Sequence, residues 1–517
     1  MSNKSRTHYS ALNILSGMAG YILNTILGMV CRMVFTRTLC EDYLGVSGLF
    51  SNIISMLSLA ELGIGSAIIY ALYKPFATGD EGKVASLVKF FGKCYRLIGI
   101  IVAVLGIAVS PFLSFIITTP PNISENIYLL YFIFLFNTAF TYFFTYKASL
   151  ITVSQQDYIV SGISYIVTII QSIIQMIWLF NTHNYLGYLF IQTIGGIVYC
   201  IVISTIANKK FPYITRKDIK PIDKEEKHSL VKNVRALIVW KLSGLLVNST
   251  DNVIITYFSG LATVGFASNY TMLTTTLNSF INQIFNSLTA SVGNFNALES
   301  PKRKLELFYT INFANFWIYS WASVGIFVLS GDIVSVLFGE KYVLSQEIPL
   351  IIAINFYMVG MQNAVWTFKN TMGLFRPGRY LLFFTAALNL AFSIGLGTIW
   401  GLFGILLATA ISRLFTNTWY DPYAVFKYGL KSKVSKYYFR YLNYLFIVVI
   451  IGLACYYLCS VISINPYVDI IIKFLICCFI PNATIILLFR KTNEFLQLQD
   501  KAKQMIHTKS FRRKKTD

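Results

Sequence analysis

Four of the charged side chains inside long apolar segments of this chain could do chemistry: Arg32, Glu61, Lys241 and Asp251. A charge at mid-bilayer costs about 2.5–3.5 kcal/mol even on insertion scales, so it normally faces a partner or a wet cavity. A buried acid can titrate, or it can only neutralise a nearby cation. We therefore predict Glu61 and Asp251 as candidate ion-coupling residues. For Arg32 and Lys241, which lie toward helix ends, snorkelling to the membrane surface is the competing explanation.

Polar residues recur at helical spacing beside these charges. Asn24 and Arg32 are eight positions apart on the first apolar segment, and such positions fall on one helix face. Matching polar positions recur in the second half of the chain, where Asn248 and Asn252 lie on one apolar segment. The predicted polar lining of a cavity comprises Asn24, Asn248, Asn252, Asn278, Asn282, Gln283 and Asn286. The competing explanation is that small and polar residues only let helices approach and hydrogen-bond to each other.

Membrane helices must position these residues. The 517-residue chain is 56% hydrophobic and 13% charged, whereas a soluble domain has roughly 25% charged residues. About fourteen apolar segments are each long enough to cross a hydrocarbon core of roughly 30 Å. They are residues 11–36, 44–73, 91–118, 126–152, 159–180, 186–207, 236–258, 265–292, 307–330, 348–372, 380–399, 402–420, 441–461 and 468–489. Tyrosines at span ends, such as Tyr437 and Tyr441, are expected to anchor these helices at the membrane interface.

The positive charges predict the orientation of the helices. Nearly all Lys and Arg residues lie in alternate connections between the segments, which is typical of cytoplasmic loops. Both termini and the long basic connection at 208–235 are therefore predicted to be cytoplasmic. The net charge of +21 is explained by this topology and by anionic lipid headgroups, so no nucleic-acid partner is predicted.

The chain contains an internal repeat. A single shift of the chain against itself aligns Thr36 with Thr256 and Gly45 with Gly265. We expect two six-helix bundles in parallel repeat plus two C-terminal helices, with the substrate between the bundles. The predicted organisation is an N-lobe at 1–207, a basic cytoplasmic linker at 208–235, a C-lobe at 236–420, two further spans within 421–489 and a basic cytoplasmic tail at 490–517.

No catalytic or metal-binding pattern accompanies these charges. The four His residues are solitary, and the eight Cys residues show no paired C-x-x-C spacing. There is no P-loop for ATP, and no hydrophilic loop is large enough to hold a glycosyltransferase site. The sequence therefore predicts a protein that is not an enzyme and that has no cofactor and no metal site.

Several motifs carry a family resemblance. The stretch at 42–53, DYLGVSGLFSNI, is followed by LAELGIGSA at 59–67, and the loop at 77–83 has a copy at 297–304. With DNVII at 251–255 and LFGEKY at 337–342, these segments resemble Wzx-type polysaccharide flippases of the multidrug/oligosaccharidyl-lipid/polysaccharide exporter superfamily. The resemblance implies a V-shaped, two-lobed helical fold and alternating access. It also implies a role in the bacterial cytoplasmic membrane, moving undecaprenyl-diphosphate-linked oligosaccharide for capsule or exopolysaccharide assembly.

The same resemblance implies roles for particular residues. Such flippases hold the anionic diphosphate with cationic residues of a central cavity, and Arg32 and Lys241 are the positions here that suit this role. Arginine is apt because its planar donors grip phosphate oxygens in pairs. The drug-efflux branch of the superfamily typically binds its coupling cation at an acid on the first helix. The first apolar segment here contains no acid, which counts against that branch.

Other functions also fit the sequence. The chain could export a teichoic-type polymer precursor, flip the peptidoglycan lipid precursor, or act as a cation-coupled multidrug antiporter. A membrane-embedded scaffold of a polysaccharide-synthesis complex is the non-transport alternative, although a scaffold has no need of buried charges. The expected partners are the lipid-linked oligosaccharide, membrane lipids, and a polysaccharide polymerase with other assembly proteins.

Overall fold

The computed structural model describes residues 6–58, 64–154, 156–216, 218–219, 221–223, 251–374, 377–378, 380–462 and 464–500. Within these residues every regular element is a helix and no strand occurs. The chain divides into two compact units, Met1–Gly265 and Phe266–Asp517. These observations confirm the predicted all-α architecture.

Among the described residues, the first unit is formed by ten helices and the beginning of an eleventh. At Gly20, α1 packs closely on α8, because a Cβ there would lie 2.0 Å from the ring of Tyr165. The N-terminal end of α2 is tied to the connection between α5 and α6 by Asp42, whose carboxylate accepts from the backbone N–H of Asn122 at 2.7 Å. The helices are α1 Arg6–Thr38, α2 Glu41–Leu57, α3 Ile64–Ala77, α4 Glu81–Val109, α5 Leu113–Ile116, α6 Ile127–Thr141, α7 Thr145–Val153, α8 Asp157–Thr182, α9 Tyr185–Lys210, α10 Asp251–Ser259 and α11 Leu261–Leu298.

The second unit is arranged around one long central helix, α12. On one side of it, Phe316 stacks on Tyr444 of α16 with 3.9 Å between ring centroids. Nearby, Phe313 packs on Phe489 of α17 at 5.2 Å. The helices are α12 Pro301–Phe338, α13 Glu347–Thr371, α14 Leu381–Phe415, α15 Asn417–Ala424 with a π-helical continuation Val425–Leu430, α16 Ser435–Ser460 and α17 Pro466–Phe489.

Two tyrosines predicted as interfacial anchors belong to this core instead. Tyr437 and Tyr441 are 0% and 8% exposed, so neither ring is available to contact lipid headgroups and the predicted anchoring role is wrong for both. Tyr437 packs between Phe308 of α12 and Phe426 of the π-helical segment, with ring centroids 5.9 and 5.7 Å away. An aromatic residue at the end of an apolar segment can therefore serve helix packing as well as headgroup contact.

Several helices begin earlier than their apolar segments. The predicted spans that start at residues 91 and 307 belong to α4 and α12, which begin at Glu81 and Pro301. Asp80 caps α4, because its side chain accepts from the backbone N–H of Lys83 at 2.9 Å. A hydropathy window detects only the apolar part of a helix. It does not detect a polar first turn, even where an N-cap residue stabilises that turn.

Two of the spans are interrupted. Helices α6 and α7 are bent by 41° relative to each other. Within α14, Gly401 has φ 52° and ψ −131°, which separates the predicted spans 380–399 and 402–420. A Cβ at Gly404 would lie 2.1 Å from the carbonyl oxygen of Leu396, so the two arms meet in a turn that requires glycine.

In the part of the chain that the structure describes, eight helices are long and apolar enough to cross a membrane, or nine if the bent pair α6–α7 forms one span. These nine account for ten of the fourteen predicted spans, because α14 with its continuation holds two. The remaining four predicted spans hold all of the predicted site residues. They correspond to α1, the pair α2–α3, the segment that ends in α10, and α11. The chain is a multi-pass membrane protein.

The predicted repeat is visible in where the helices begin. Three pairs of helices, α2 and α11, α4 and α12, and α6 and α13, begin at Glu41 and Leu261, Glu81 and Pro301, and Ile127 and Glu347. The offset between the two starts is the same in all three pairs, and it is also the offset between Thr36 and Thr256. Identical spacing of these three pairs means that the number of residues from one helix start to the next is the same in both halves of the chain. This supports the two-bundle repeat independently of the sequence identities.

Candidate functional site

The predicted site residues are described only in part. Glu61, Lys241 and Asn248 lie outside the described residues, and so does the side chain of Asn286 on α11. The predicted roles of these four residues stay predictions. The others fall into two groups, on α1 and α10 of the first unit and on α11 of the second.

On α1, Arg32 and Asn24 are both half-buried. The neighbouring Cys31 is buried and its thiol is hydrogen-bonded to the hydroxyl of Tyr188 on α9. Phe35 packs edge-on against the same tyrosine with 5.4 Å between ring centroids. The Asn24 carbonyl oxygen is buried and has no hydrogen-bond partner among the described residues. This part of α1 therefore has one fixed aromatic face and presents a cation and an amide acceptor beside it.

The two threonines that the internal repeat aligns have a structural role. Thr36 is 3% exposed, and its hydroxyl donates to the backbone oxygen of Met33 at 3.1 Å. Its repeat counterpart Thr256 is 1% exposed and donates to the backbone oxygen of Asn252 at 2.7 Å. Both hydroxyls are satisfied within their own helices, as the helix-packing explanation predicts for such positions.

Asp251 and Asn252 are the first described residues of α10, and both are half-buried. The amide nitrogen of Asn252 lies 3.8 Å from the position that a Cβ on Gly48 would occupy, so α10 packs here on α2. The predicted role of Asp251 in ion coupling stays a prediction.

The clearest polar surface is an exposed stripe on α2 that recurs on α11. On each helix the residues of the stripe are four positions apart, so they lie on one helix face. They are serines on α2, and mainly residues with a hydroxyl group on α11. The first two α11 positions are the repeat counterparts of the two α2 positions. The exposed residues are Ser51 and Ser55 on α2, and Thr271, Thr275, Ser279 and Gln283 on α11.

The exposed faces of two other helices are apolar. On α8, Ile166, Ile170 and Ile177 are 58%, 53% and 58% exposed. On α17, Leu475 and Phe479 are 59% and 75% exposed. Because an exposed hydroxyl or amide gains nothing from lipid tails, the α2 and α11 stripes are suited to water and to the hydroxyls of a polar ligand.

Two of the predicted lining residues belong to a hydrogen-bond network inside the second unit. The Tyr319 hydroxyl donates to the amide oxygen of Asn278 at 2.8 Å. The amide nitrogen of Asn363 lies 3.0 Å from the amide oxygen of Asn282 and 2.7 Å from the Tyr319 hydroxyl oxygen. The network joins α11 to α12 and α13. Asn278 and Asn282 thus have protein partners, and their role as cavity lining stays a prediction.

Sequence reasoning missed Tyr319, Asn363 and Gly360. A Cβ at Gly360 would lie 1.9 Å from the Tyr319 ring, so this glycine makes room for the ring that organises the network. Each is a single residue in an apolar helix, and no periodic pattern marks it. The only available signal was an isolated asparagine within an apolar segment, which also fits simple helix packing.

The comparison with protein families identifies a match over more than half of the chain. The model of a family described as polysaccharide biosynthesis protein matches residues 10–289. No curated protein sequence matches the chain significantly.

Solved transporter structures resemble the whole chain. A lipid II flippase, MurJ, in an inward closed conformation aligns at 14% identity and TM-score 0.64, over 92% of this chain and 99% of that one. An inward-facing multidrug resistance MATE family transporter of the MOP superfamily aligns at 12% identity and TM-score 0.55, over 79% of this chain and 95% of that one. A mutant of the Vibrio cholerae MATE transporter VcmN aligns at 14% identity and TM-score 0.50, over 83% of this chain and 99% of that one. At such identities the likeness shows the fold alone.

Proposed function

We propose that this chain, which belongs to the polysaccharide biosynthesis protein family, is a flippase for undecaprenyl-diphosphate-linked oligosaccharide. It moves this lipid across the bacterial cytoplasmic membrane by alternating access and so feeds capsule or exopolysaccharide assembly. Its lobes are residues 1–207 and 236–420, and its termini are cytoplasmic. The substrate, the membrane and the orientation are parts of this proposal.

The exposed polar stripes of α2 and α11 carry the proposal. A sugar repeat unit presents many hydroxyls, and it can cross the bilayer only along a path that replaces their hydration. Ser55 on α2 offers an oxygen acceptor on its exposed face, and so does Thr275 on α11, because their hydroxyls already donate their protons to backbone oxygens at 2.7 Å. A scaffold protein would have no use for these exposed hydroxyls in a membrane.

Arg32 supplies the headgroup contact in this mechanism. It is half-buried on α1, on the helix that also carries the Asn24 amide oxygen. A guanidinium can grip a diphosphate through paired hydrogen bonds, and partial burial strengthens such a contact. Lys241 is proposed as the second cation. Asp251 and Glu61 remain the candidates for ion coupling, and their amide variants should lose pH-dependent transport if either acid is the coupling site.

The first experiment tests whether the stripes face water. Ser55→Cys on α2 and Ser279→Cys on α11 should react in membranes with a water-soluble maleimide. Ile170→Cys on the apolar face of α8 is the matched control, since it is similarly exposed but should react slowly. Equal, slow labelling at all three positions would mean that the stripes face lipid, and the proposed path would be wrong.

The second experiment tests the substrate contact by complementation of polysaccharide export, normalised to membrane protein level. Arg32→Lys should transport partially, Arg32→Ala should lose most transport, and Arg32→Glu should be worst because it repels the diphosphate. Arg37→Glu, at an exposed position on the same helix, is the matched control and should transport normally. Normal export by Arg32→Glu at normal protein level would remove Arg32 from the substrate site.

A deletion strain separates this function from its rivals. Loss of the protein should make lipid-linked sugar accumulate on the cytoplasmic side without changing resistance to fluoroquinolones or dyes. Drug sensitivity in the deletion strain would instead favour an antiporter. Accumulation of the peptidoglycan lipid precursor or of a teichoic-type precursor would identify the corresponding flippase or exporter.

A further inference from the structure

One face of α4 is exposed along most of the helix and changes character midway. Its residues are three or four positions apart, which keeps them on one face. The half nearer the N-terminus is cationic, and the other half is aliphatic with more than half of each side chain exposed. We call this face the α4 stripe; it consists of Lys89, Lys93, Arg96, Ile100, Val104 and Ile107.

The internal repeat gives this stripe a counterpart on α12. The offset between the starts of α4 and α12 assigns one α12 position to each residue of the α4 stripe. All six of these α12 positions are buried, with exposures between 0% and 9%. Aromatic residues replace the three cations there. The counterparts are Tyr309, Phe313, Phe316, Ser320, Val324 and Phe327.

Helix α16 covers that counterpart face in the second unit. The guanidinium carbon of Arg440 lies 4.3 Å from the centroid of the Tyr309 ring. Four positions later Tyr444 stacks on Phe316 at 3.9 Å, and three turns further on Tyr456 stacks on Phe327 at 5.1 Å. The same face of the repeat is therefore covered by a protein helix in the second unit, whereas the α4 stripe remains exposed.

The chemistry of the α4 stripe indicates what covers it. Lys89 and Arg96 are seven residues apart, about 10 Å along a helix, and Lys93 lies between them. In the part of the chain that the structure describes, none of these three cations forms a salt bridge with a carboxylate. The Arg96 Nε donates to the backbone oxygen of Gly92 at 3.1 Å, which holds the guanidinium close to the helix. A cluster of this kind attracts an anionic headgroup.

The aliphatic half matches the depth of one leaflet. Arg96 and Ile107 are eleven residues apart, about 16 Å along the helix, and half of a 30 Å hydrocarbon core is about 15 Å. We propose that the α4 stripe binds an anionic bilayer phospholipid, with its phosphate at Lys89, Lys93 and Arg96 and an acyl chain along the three aliphatic residues. A second protein helix would have to bring acids of its own to face the three cations, whereas bilayer phospholipids supply anionic phosphates at that level. This inference does not rest on the proposed transport function.

The test titrates lipids onto the purified full-length protein and follows binding by native mass spectrometry. Wild-type protein should bind phosphatidylglycerol at least tenfold more tightly than phosphatidylcholine with the same acyl chains. Each cation near an anionic surface contributes roughly a fivefold gain, so Lys89→Gln/Lys93→Gln/Arg96→Gln should weaken phosphatidylglycerol binding by more than tenfold. The control Lys302→Gln/Arg303→Gln/Lys304→Gln removes the same charge at the start of α12 and should bind like wild type.

Each alternative outcome overturns the proposal. Equal binding by the two triple variants would show that net charge alone attracts the lipid. Equal binding of the two phospholipids to wild-type protein would show that the headgroup is not recognised. If the α4 variant lost binding of a polyprenyl diphosphate but kept phosphatidylglycerol, the stripe would belong to the carrier lipid.

A second measurement avoids any change to the cations. A photo-crosslinking amino acid in place of Ile100, in membranes containing a labelled phosphatidylglycerol, should attach to that lipid. The same probe in place of Ile170 on α8 is the control. It should attach at least fivefold less of the labelled lipid, since α8 contains no Lys or Arg residue. Crosslinking at Ile100 mainly to another protein helix, or equal lipid yields at both positions, would overturn the proposal.

Discussion

Removing one partner of a buried ion pair between α13 and α15 should destabilise the second unit. The Lys369 ammonium lies 2.6 Å from one carboxylate oxygen of Asp421, and the indole N–H of Trp366 donates to the other at 3.1 Å. The Asp421 side chain is 4% exposed and the Lys369 side chain 18%. The perturbation is Asp421→Asn, which keeps the shape and one acceptor oxygen but leaves the lysine without its counter-charge.

The expected loss follows from that burial. Removing one partner of a buried ion pair typically costs about 3–5 kcal/mol, because the other charge stays desolvated. Lys369 retains some solvent access and can move toward it, so we expect a loss of about 2–3 kcal/mol. For a unit of this size that corresponds to a fall in Tm of about 5–10 °C. The double variant Lys369→Met/Asp421→Leu removes both charges and should recover most of the loss.

The assay is thermal unfolding in detergent, followed by a thiol-reactive dye. Cys455, Cys459 and Cys477 are buried in the second unit and should react only when it opens. Glu299→Gln is the control, because it breaks a more exposed ion pair with Arg303 and should shift Tm by no more than about 1–2 °C. A Tm for Asp421→Asn equal to that of the control would refute the reasoning, as would a double variant no more stable than the single one.

Two further variants test packing in each unit by the same assay. Tyr319→Phe removes a hydroxyl bonded to two asparagine amides, so it should lose about 1–3 kcal/mol, and an unchanged Tm would exclude the network as a stabilising feature. Gly45→Ala should destabilise by about 1–3 kcal/mol, since its Cβ would lie 2.0 Å from the backbone oxygen of Leu261. Gly325→Ala is its control, because no atom lies within 4 Å of its Cβ position and the change should be neutral or stabilising.

Much of the helix arrangement could be predicted from the sequence because the bilayer restricts a spanning chain to long apolar helices. The break at Gly401 followed from span length alone, since residues 380–420 are too many for one crossing. The repeat was also predictable, and the three pairs of helix starts at one constant offset support it. These features depend on chain length and apolar pattern, which a single sequence contains.

The tertiary contacts were not predictable in the same way. Tyr319 and Asn363 are far apart in the chain, and nothing in their local sequence pairs them. Tyr437 looks like an interfacial anchor by position, yet it is buried beside α12 because the π-helical segment returns the chain to the core. Which face of α12 would be covered by α16 likewise depends on packing between distant segments, which periodicity cannot reveal.

The helices that hydropathy detects least well are those on which the proposed function depends. A helix that borders an aqueous path exposes hydroxyl and amide groups, as α11 does at Thr271, Thr275, Ser279 and Gln283. The same groups lower its average hydropathy, so α11 is not among the helices that qualify as spans by composition, although it has 38 residues. Among strongly apolar helices in a bilayer, such a helix is stable only if its polar face contacts water, a ligand or other polar groups. Low hydropathy in a helix long enough to span is therefore a signal of the transport path rather than evidence against a membrane span.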